Sequence, residues 1–494
     1  MAAGGGGEAR GCGGGAAYYT TDEALSRVGF GRLQALLLGV LGGGWLAQAM
    51  EVMMLSFVGP SVREEWGVSG WAEGLVTSAV FAGMLVGACA GGLASDRHGR
   101  RVAFLFTALV TGISGLLCAF SPNYASLLAL RFIVGVGLGA GHVLPTWFLE
   151  FVPAENRGFW AAVFWSFWST GTVLEALLAW AVLPILGWRW LLAFSSSPNF
   201  IVLICFGLLP ESPRYLCSRG KTSDAVLVLE RISKINRKAL PPGILASSDL
   251  KRRVDNNHDA SVTTSLPMME EESLRTDEDT SFRSNDFNAF QALWSRDLIR
   301  STLLIWLVNI TTYFAYYGMV LLTSELSNKS SCASVGEHPM QPKDSSVYIN
   351  VLMISFAEFP GYLLAGLLAD KVGRRMSMSG LFLLTCASLA PLAVHFRGGL
   401  AITLMFCARS CIQGSFSIMH AYAPEVYPTI CRNTGVGVAT FMGRIGSIVA
   451  PLLTTALLES CHQKEAVILL VLLLFVAGVA CAFFPLETKG LAML

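Results

Sequence analysis

The sequence predicts an all-α membrane protein: twelve transmembrane helices in two parallel six-helix repeats. Three observations carry that prediction. Of the 494 residues, 53% are apolar and only 14% are charged, against about a quarter charged in a soluble domain; mean hydropathy is +0.56. Apolar runs long enough to cross a bilayer, which takes about 20 helical residues, recur twelve times. Three pairs of short motifs recur in one register about half a chain apart.

Taken in order, residues 1–29 read as a disordered, Gly-rich N-terminus that opens on MAAGGGGEARGCGGGAA. An N-terminal six-helix bundle is expected over 30–214, with spans near 33–58, 72–94, 102–120, 125–148, 159–184 and 188–209. The first run is too long for the apolar core of a signal peptide and should stay in the chain as a helix. Residue 2 is Ala, so there is no myristoylation signal. Residues 215–297, which include MMEEESLRTDEDTSFRSND, are too polar to fold alone. Apart from a short helix at 223–236 they read as a cytosolic linker, a tether rather than a catalyst. A C-terminal six-helix bundle is expected over 298–487, with spans near 301–324, 347–369, 376–395, 399–422, 433–457 and 466–484, and 488–494 form a tail. The 50 Gly and 12 Trp suit such a protein, because Gly lets helices approach and Trp favours the interfaces.

Lys and Arg near span ends orient the chain. The turns after the second and eighth spans hold Arg97, Arg100, Arg101 and Lys371, Arg374, Arg375, which puts both termini in the cytosol. Asn328 then opens an N-x-S sequon in an outer loop, a glycosylation site. Cys332 in that loop and Cys461 in the last outer loop are disulfide candidates, with two free thiols as the alternative. The remaining Cys mostly sit in apolar runs as small hydrophobes, and no Cys/His spacing suggests a metal. A net charge of +1 and the lack of a basic tail give no sign of nucleic-acid binding.

The repeat is specific. GGLASDRHGRR at 91–101 and AGLLADKVGRR at 365–375 place Asp96 and Asp370, like Arg101 and Arg375, 274 residues apart. EFVPAENRG and EVYPTICRN place Glu150 and Glu425, Pro153 and Pro428, and Arg157 and Arg432 275 apart, as are the prolines that open PESPR and PLETK. Each half has six spans and returns to the same side, so the repeats are parallel. Glycines allow the tight turn, and its cations suit an anionic leaflet. Ion pairs from Glu150, Arg157, Glu425 and Arg432 to the turns around Asp96 and Asp370 would form a latch for alternating access. Fixing topology is the plainer role, and the two are compatible.

These turns, with RFIVGVG from Arg131, PESPR and the terminal PLETKG, resemble the major facilitator superfamily from about residue 30 onward. AMEVMMLSFVGP, GWRWLLAFSS, FAYYGMVLLT, SFAEFPG and YAPEVYPT are most similar to the plant organic cation/carnitine transporter 7 group. That group is a niacin-transporter-like branch related to synaptic vesicle glycoprotein 2. The resemblance implies the major facilitator fold and secondary transport.

Charges inside spans are costly and mark functional sites or buried pairs. Here they are Glu51, Arg131, Glu175, Glu358, Arg409 and Arg444. Related organic-anion transporters keep an arginine where Arg444 stands in FMGRIGSIVAPL, and by that resemblance Arg444 binds a substrate carboxylate. A salt bridge to Glu358 is the alternative, Glu358 otherwise counting among the substrate-binding candidates. Trp165, Trp168, Thr172 and Glu175 share one face of the fifth span; Asn309, Tyr313, Tyr316 and Tyr317 lie in the seventh. Such aromatic walls can stack a pyridine ring or hold a quaternary ammonium, although packing is the commoner use. Glu175 can pair with a ligand cation or carry a proton. Glu51, on a face with Trp45 and Gln48, is a second proton-coupling candidate or a helix–helix hydrogen bond. Relatives often have an acid at position 48 and Pro at position 142, where this chain has Gln48 and His142. The superfamily associates Arg131 with coupling, and bonding to carbonyls is the alternative.

The expected function is therefore proton-coupled uptake, by a monomer in the plasma membrane, of a small carboxylate-bearing solute such as nicotinate, trigonelline or carnitine. A segment-five Gly-Pro antiporter signature is missing, which leans toward uptake. A non-transporting binding protein or receptor on the same fold is the alternative. No nucleophile–base pair, phosphate loop, metal cluster or cofactor site suggests an enzyme.

Overall fold

The computed structural model describes residues 18–153, 157–246, 293–296, 298–327, 345–394, 399–427, 432–460 and 462–488. Among these, twelve helices are long and apolar enough to span a membrane. Spans one to six are Arg32–Trp66, Gly70–Ser95, Arg100–Cys118, Tyr124–Leu149, Arg157–Leu186 and Trp188–Leu208. Spans seven to twelve are Ile299–Thr323, Ile349–Ala369, Arg374–Val394, Gly399–Val426, Gly435–Leu458 and Gln463–Ala482. Each falls on one of the twelve apolar runs.

Local chemistry starts and stops the helices where the sequence changes character. Ser69 caps the second span by accepting from the Ala72 amide at 3.3 Å, and Asn123 forms a capping box with Ser126 at the fourth. The eighth span is two helices, Ser345–Phe356 and Glu358–Lys371, that meet at Ala357, so Glu358 opens the second of them. The second and fourth spans lie close because Gly135 and Gly139 carry no side chain. A Cβ at either would come within 2.1 Å of a second-span carbonyl, that of Val80 or Met84.

The two duplicated turns define one face, here called the near face; the opposite one is the far face. At the near face the expectation of a disordered 1–29 segment is corrected. Tyr18–Tyr19 form a strand, β1, and Thr21–Val28 a helix, α1, with a Thr20–Glu23 capping box. β1 pairs in parallel with β2, Ile244–Leu245. Between them lie α2, Pro213–Ser218, and α3, Thr222–Asn236, the last within one residue of the expected linker helix. The unit folds by docking. Leu25, Val28, Leu229 and Ile232 are buried in one cluster with Leu33, Leu37, Phe148 and Phe151 of the first bundle. Residues 247–292 of the linker lie outside the described residues.

The halves meet along two seams, spans two with eleven and five with eight. On the first, Ser78 donates to the Ile448 carbonyl at 2.8 Å, and Gly74 faces Thr455 and the Pro451 carbonyl. These contacts occupy the far half of both helices, so the halves are closed together toward the far face.

Candidate functional site

The six span charges singled out from the sequence fall into two ion pairs plus two residues outside them. Arg131 Nη1 lies 3.2 Å from Glu51 Oε2, while Ser196 donates to Glu51 Oε1 at 2.8 Å; both charged side chains are essentially inaccessible. This pair is satisfied wholly within the first half. The second pair is Arg409 with Glu358, Nη2 to Oε1 at 2.6 Å. Tyr316 donates to the same Oε1 at 2.8 Å, and the Arg409 guanidinium lies 4.2 Å from the Tyr316 ring centroid. Ser169, from the other half, donates to Glu358 Oε2 at 2.6 Å.

The alternative pairing of Arg444 with Glu358 is thereby corrected: Arg409 on the tenth span occupies Glu358. Arg444 makes no ion pair among the described residues. Its Nη1 is 3.6 Å from Met84 Sδ, its guanidinium 5.5 Å from the Tyr313 ring centroid, and it lies beside the Tyr317 hydroxyl. Its Nε has no hydrogen-bond partner among the described residues. Arg444 is thus a half-buried cation with aromatic neighbours and unused donor capacity.

Part of the aromatic set of spans five and seven faces one cavity. Trp168, Thr172, Tyr316 and Tyr317 line this small cavity together with Phe81 and Arg409. Phe81 and Tyr317 close on each other across the halves with ring centroids 4.3 Å apart. Trp168 Nε1 donates to the Tyr316 hydroxyl at 3.4 Å, also across the halves. Tyr313 packs on Phe416 and lies near His420, whose Nδ1 is 2.9 Å from the Phe416 carbonyl. Trp165 packs against Trp45 and His420. Asn309 and Glu175 do not join this wall. The Asn309 amide donates to its own helix at the Ile305 carbonyl, 2.9 Å away. Glu175 is fully buried, and both its oxygens accept from the Ser195 hydroxyl at 2.8 and 2.9 Å, because the sixth span covers that stretch of the fifth.

At the near face the two halves repeat one set of bonds. Arg100 Nε meets Glu150 at 3.2 Å and Arg374 Nε meets Glu425 at 3.4 Å. Arg100 and Arg374 also donate to the Ser95 and Ala369 carbonyls at 3.0 and 3.1 Å. Two carboxylates not singled out from sequence complete the set. Glu211 of PESPR accepts from the Arg100 and Arg101 amides at 3.0 and 3.2 Å. Glu487 of PLETK accepts from those of Arg374 and Arg375 at 2.8 and 3.2 Å. Each carboxylate caps a helix whose orphan amides and positive dipole end favour an anion. The turns demand glycine, since Gly99 and Gly373 have φ of 99° and 103°. A motif search aligned on proline misses the homology of the acids, because Glu487 lies 276 residues after Glu211 rather than 275.

Other latch candidates behave differently. Arg157 pairs not with a turn but with Asp22 of α1, at 3.8 Å, and Arg214 bonds the same carboxylate. Arg101 lies over the Phe206 ring at 4.6 Å, Arg375 bonds the Ala482 carbonyl, and the Arg97 side chain is exposed. His142, also exposed, has Nδ1 2.7 Å from the Gly139 carbonyl. The side chains of Asp96, Asp370 and Arg432 lie outside the described residues, as do Asn328, Cys332 and Cys461.

Comparison with known proteins gives this geometry its context. The family described as "Sugar (and other) transporter" matches residues 44–493. The chain is 44% identical to organic cation/carnitine transporter 7 of Arabidopsis thaliana over 482 residues, covering 96% of this chain and 95% of that protein. It is 33% identical to the synaptic vesicle 2-related protein of Xenopus laevis, covering 96% and 82%. Among solved structures, the xylose transporter XylE of E. coli in a partially occluded inward-open conformation superposes with a TM-score of 0.68. That match has 17% identity and covers 94% of this chain and all of XylE, which speaks for the fold alone. The chain belongs to the sugar (and other) transporter family of the major facilitator superfamily, whose members are transporters and not enzymes.

Proposed function

We propose that the protein takes up a small carboxylate-bearing organic solute, nicotinate first and trigonelline or carnitine next, by proton-coupled alternating access. The observation that carries this reading is the state of Arg444. Arg131 and Arg409 are each neutralised by a carboxylate, whereas Arg444 has none among the described residues. A guanidinium without an anion in a membrane-spanning segment is costly, and a bidentate carboxylate is its natural complement. The Tyr313 ring beside it offers a face for a heteroaromatic ring or a quaternary nitrogen.

The Glu51–Arg131 pair supplies the coupling. A proton on Glu51 would free Arg131 from this ion pair and change the balance of charge in the first half. With the near face in the cytosol and the protein a monomer in the plasma membrane, the cycle imports the solute. Replacement of Arg444 tests the binding assignment. Arg444→Ala should lower nicotinate affinity at least tenfold in purified protein, since a charged hydrogen bond of this kind contributes about 1.5–3 kcal/mol. Wild-type affinity in that variant, measured by calorimetry, would remove Arg444 from the site.

A further inference from the structure

The two buried ion pairs differ in one respect. Glu51–Arg131 takes its extra donor, Ser196, from its own half, whereas Glu358–Arg409 takes Ser169 from the opposite half. Glu358 therefore has three donors at 2.6–2.8 Å, two of them fixed to it within the second half and one carried by the fifth span. Ser169 and Glu358 are both inaccessible to solvent. Immediate neighbours of the bond, Trp168, Tyr316 and Arg409, line the central cavity. Tyr362 donates to the Trp165 carbonyl at 3.2 Å across the same seam, and Trp168 donates to Tyr316 of the seventh span at 3.4 Å.

We propose that Ser169 is a positioning residue for transport: its hydroxyl, bonded to Glu358, holds the far-closed state and links the cavity wall to the movement of the halves. The inference rests on the transporter reading but on no particular solute. A bond of 2.6 Å is lost once its oxygens separate by about an ångström, so a small rotation of the eighth span away from the fifth suffices to break it. Glu358 Oε2 then has to find another donor, because an unsatisfied buried carboxylate oxygen is costly. In an empty transporter that cost favours the far-closed state. A solute or water that reaches Oε2 through the cavity replaces Ser169 and lowers the cost of opening, which is how a ligand shifts a two-state equilibrium.

The test is the far-end distance between spin labels at Pro122→Cys and Lys464→Cys, two exposed positions on opposite halves. It is read by pulsed electron paramagnetic resonance in nanodiscs without solute, with the native cysteines replaced. Removal of a hydrogen bond to a charged group shifts an equilibrium about tenfold or more. Ser169→Ala and Ser169→Val should therefore raise the ratio of far-open to far-closed molecules about tenfold, while Ser169→Thr, which has the shape of Val but keeps the hydroxyl, should stay within about twofold of the parent. An unchanged distribution in Ser169→Ala would overturn the proposal, as would equal shifts in all three variants, which would assign the effect to packing. Nicotinate uptake by the parent, assayed separately, reports on the proposed solute, so the two can fail independently.

Discussion

At the scale of single residues, what matters is which buried charges find partners. Glu51 and Arg131 meet at 3.2 Å in a site that water does not reach. Truncating one member of such a pair leaves both an uncompensated charge and unsatisfied hydrogen-bonding groups, whereas an amide in place of the carboxylate leaves only the first. Glu51→Gln keeps a side chain able to bond Ser196 and Arg131 but cannot exchange a proton in the working pH range. Gradient-driven accumulation of nicotinate should fall to simple equilibration, while solute exchange across proteoliposomes stays within about threefold of wild type, the span of a change below 1 kcal/mol. Accumulation that survives in this variant would take proton coupling away from Glu51. The charged residues of the two central pairs, with Glu175 and Arg444, were visible in the sequence, because charge inside an apolar run stands out. Their pairing was not. Helices that are apolar nearly all round carry little information on which face turns inward. The choice between Arg409 and Arg444 as the partner of Glu358 depends on that rotation. Glu175 shows the same limit. It shares a helical face with Trp168, yet it bonds Ser195 because the sixth span covers it.

At the scale of elements, the near-face turns show how a repeated sequence becomes a repeated geometry. A carboxylate that accepts two amides at a helix start should contribute as an N-cap does, about 0.5–2 kcal/mol. Glu211→Ala and Glu487→Ala are each expected to lower the thermal midpoint by a few degrees, and by similar amounts, since the two sites are built alike. A thermal unfolding scan in detergent checks this; loss in only one of them would break the equivalence of the halves. The turns were legible from their glycines and arginines, but the capping acids were not, because one inserted residue takes Glu487 out of the proline register. The α1 helix was also missed. Its stability comes from docking Leu25 and Val28 on the bundle and from Asp22 bonding Arg157 and Arg214, and composition reports only on segments that must fold alone.

For the whole molecule, the two parallel six-helix repeats follow from counting spans and motif offsets, and the structure has both. The state of the molecule does not follow from them. Contact between the halves rests on residues far apart in the sequence, such as Ser78 with Ile448 and Ser169 with Glu358. None of these leaves a local pattern. They place the cavity, its aromatic wall and Arg444 between halves that must move relative to each other if a solute is to pass. The central claim, that this movement carries a carboxylate solute at the expense of a proton gradient, is tested most directly by labelled nicotinate uptake. Purified protein in proteoliposomes would be assayed with and without an imposed inward proton gradient. Accumulation above the external concentration only when the gradient is present is the result this account predicts. Failure of nicotinate, trigonelline and carnitine alike to enter, in a preparation whose protein is folded and correctly inserted, would contradict it.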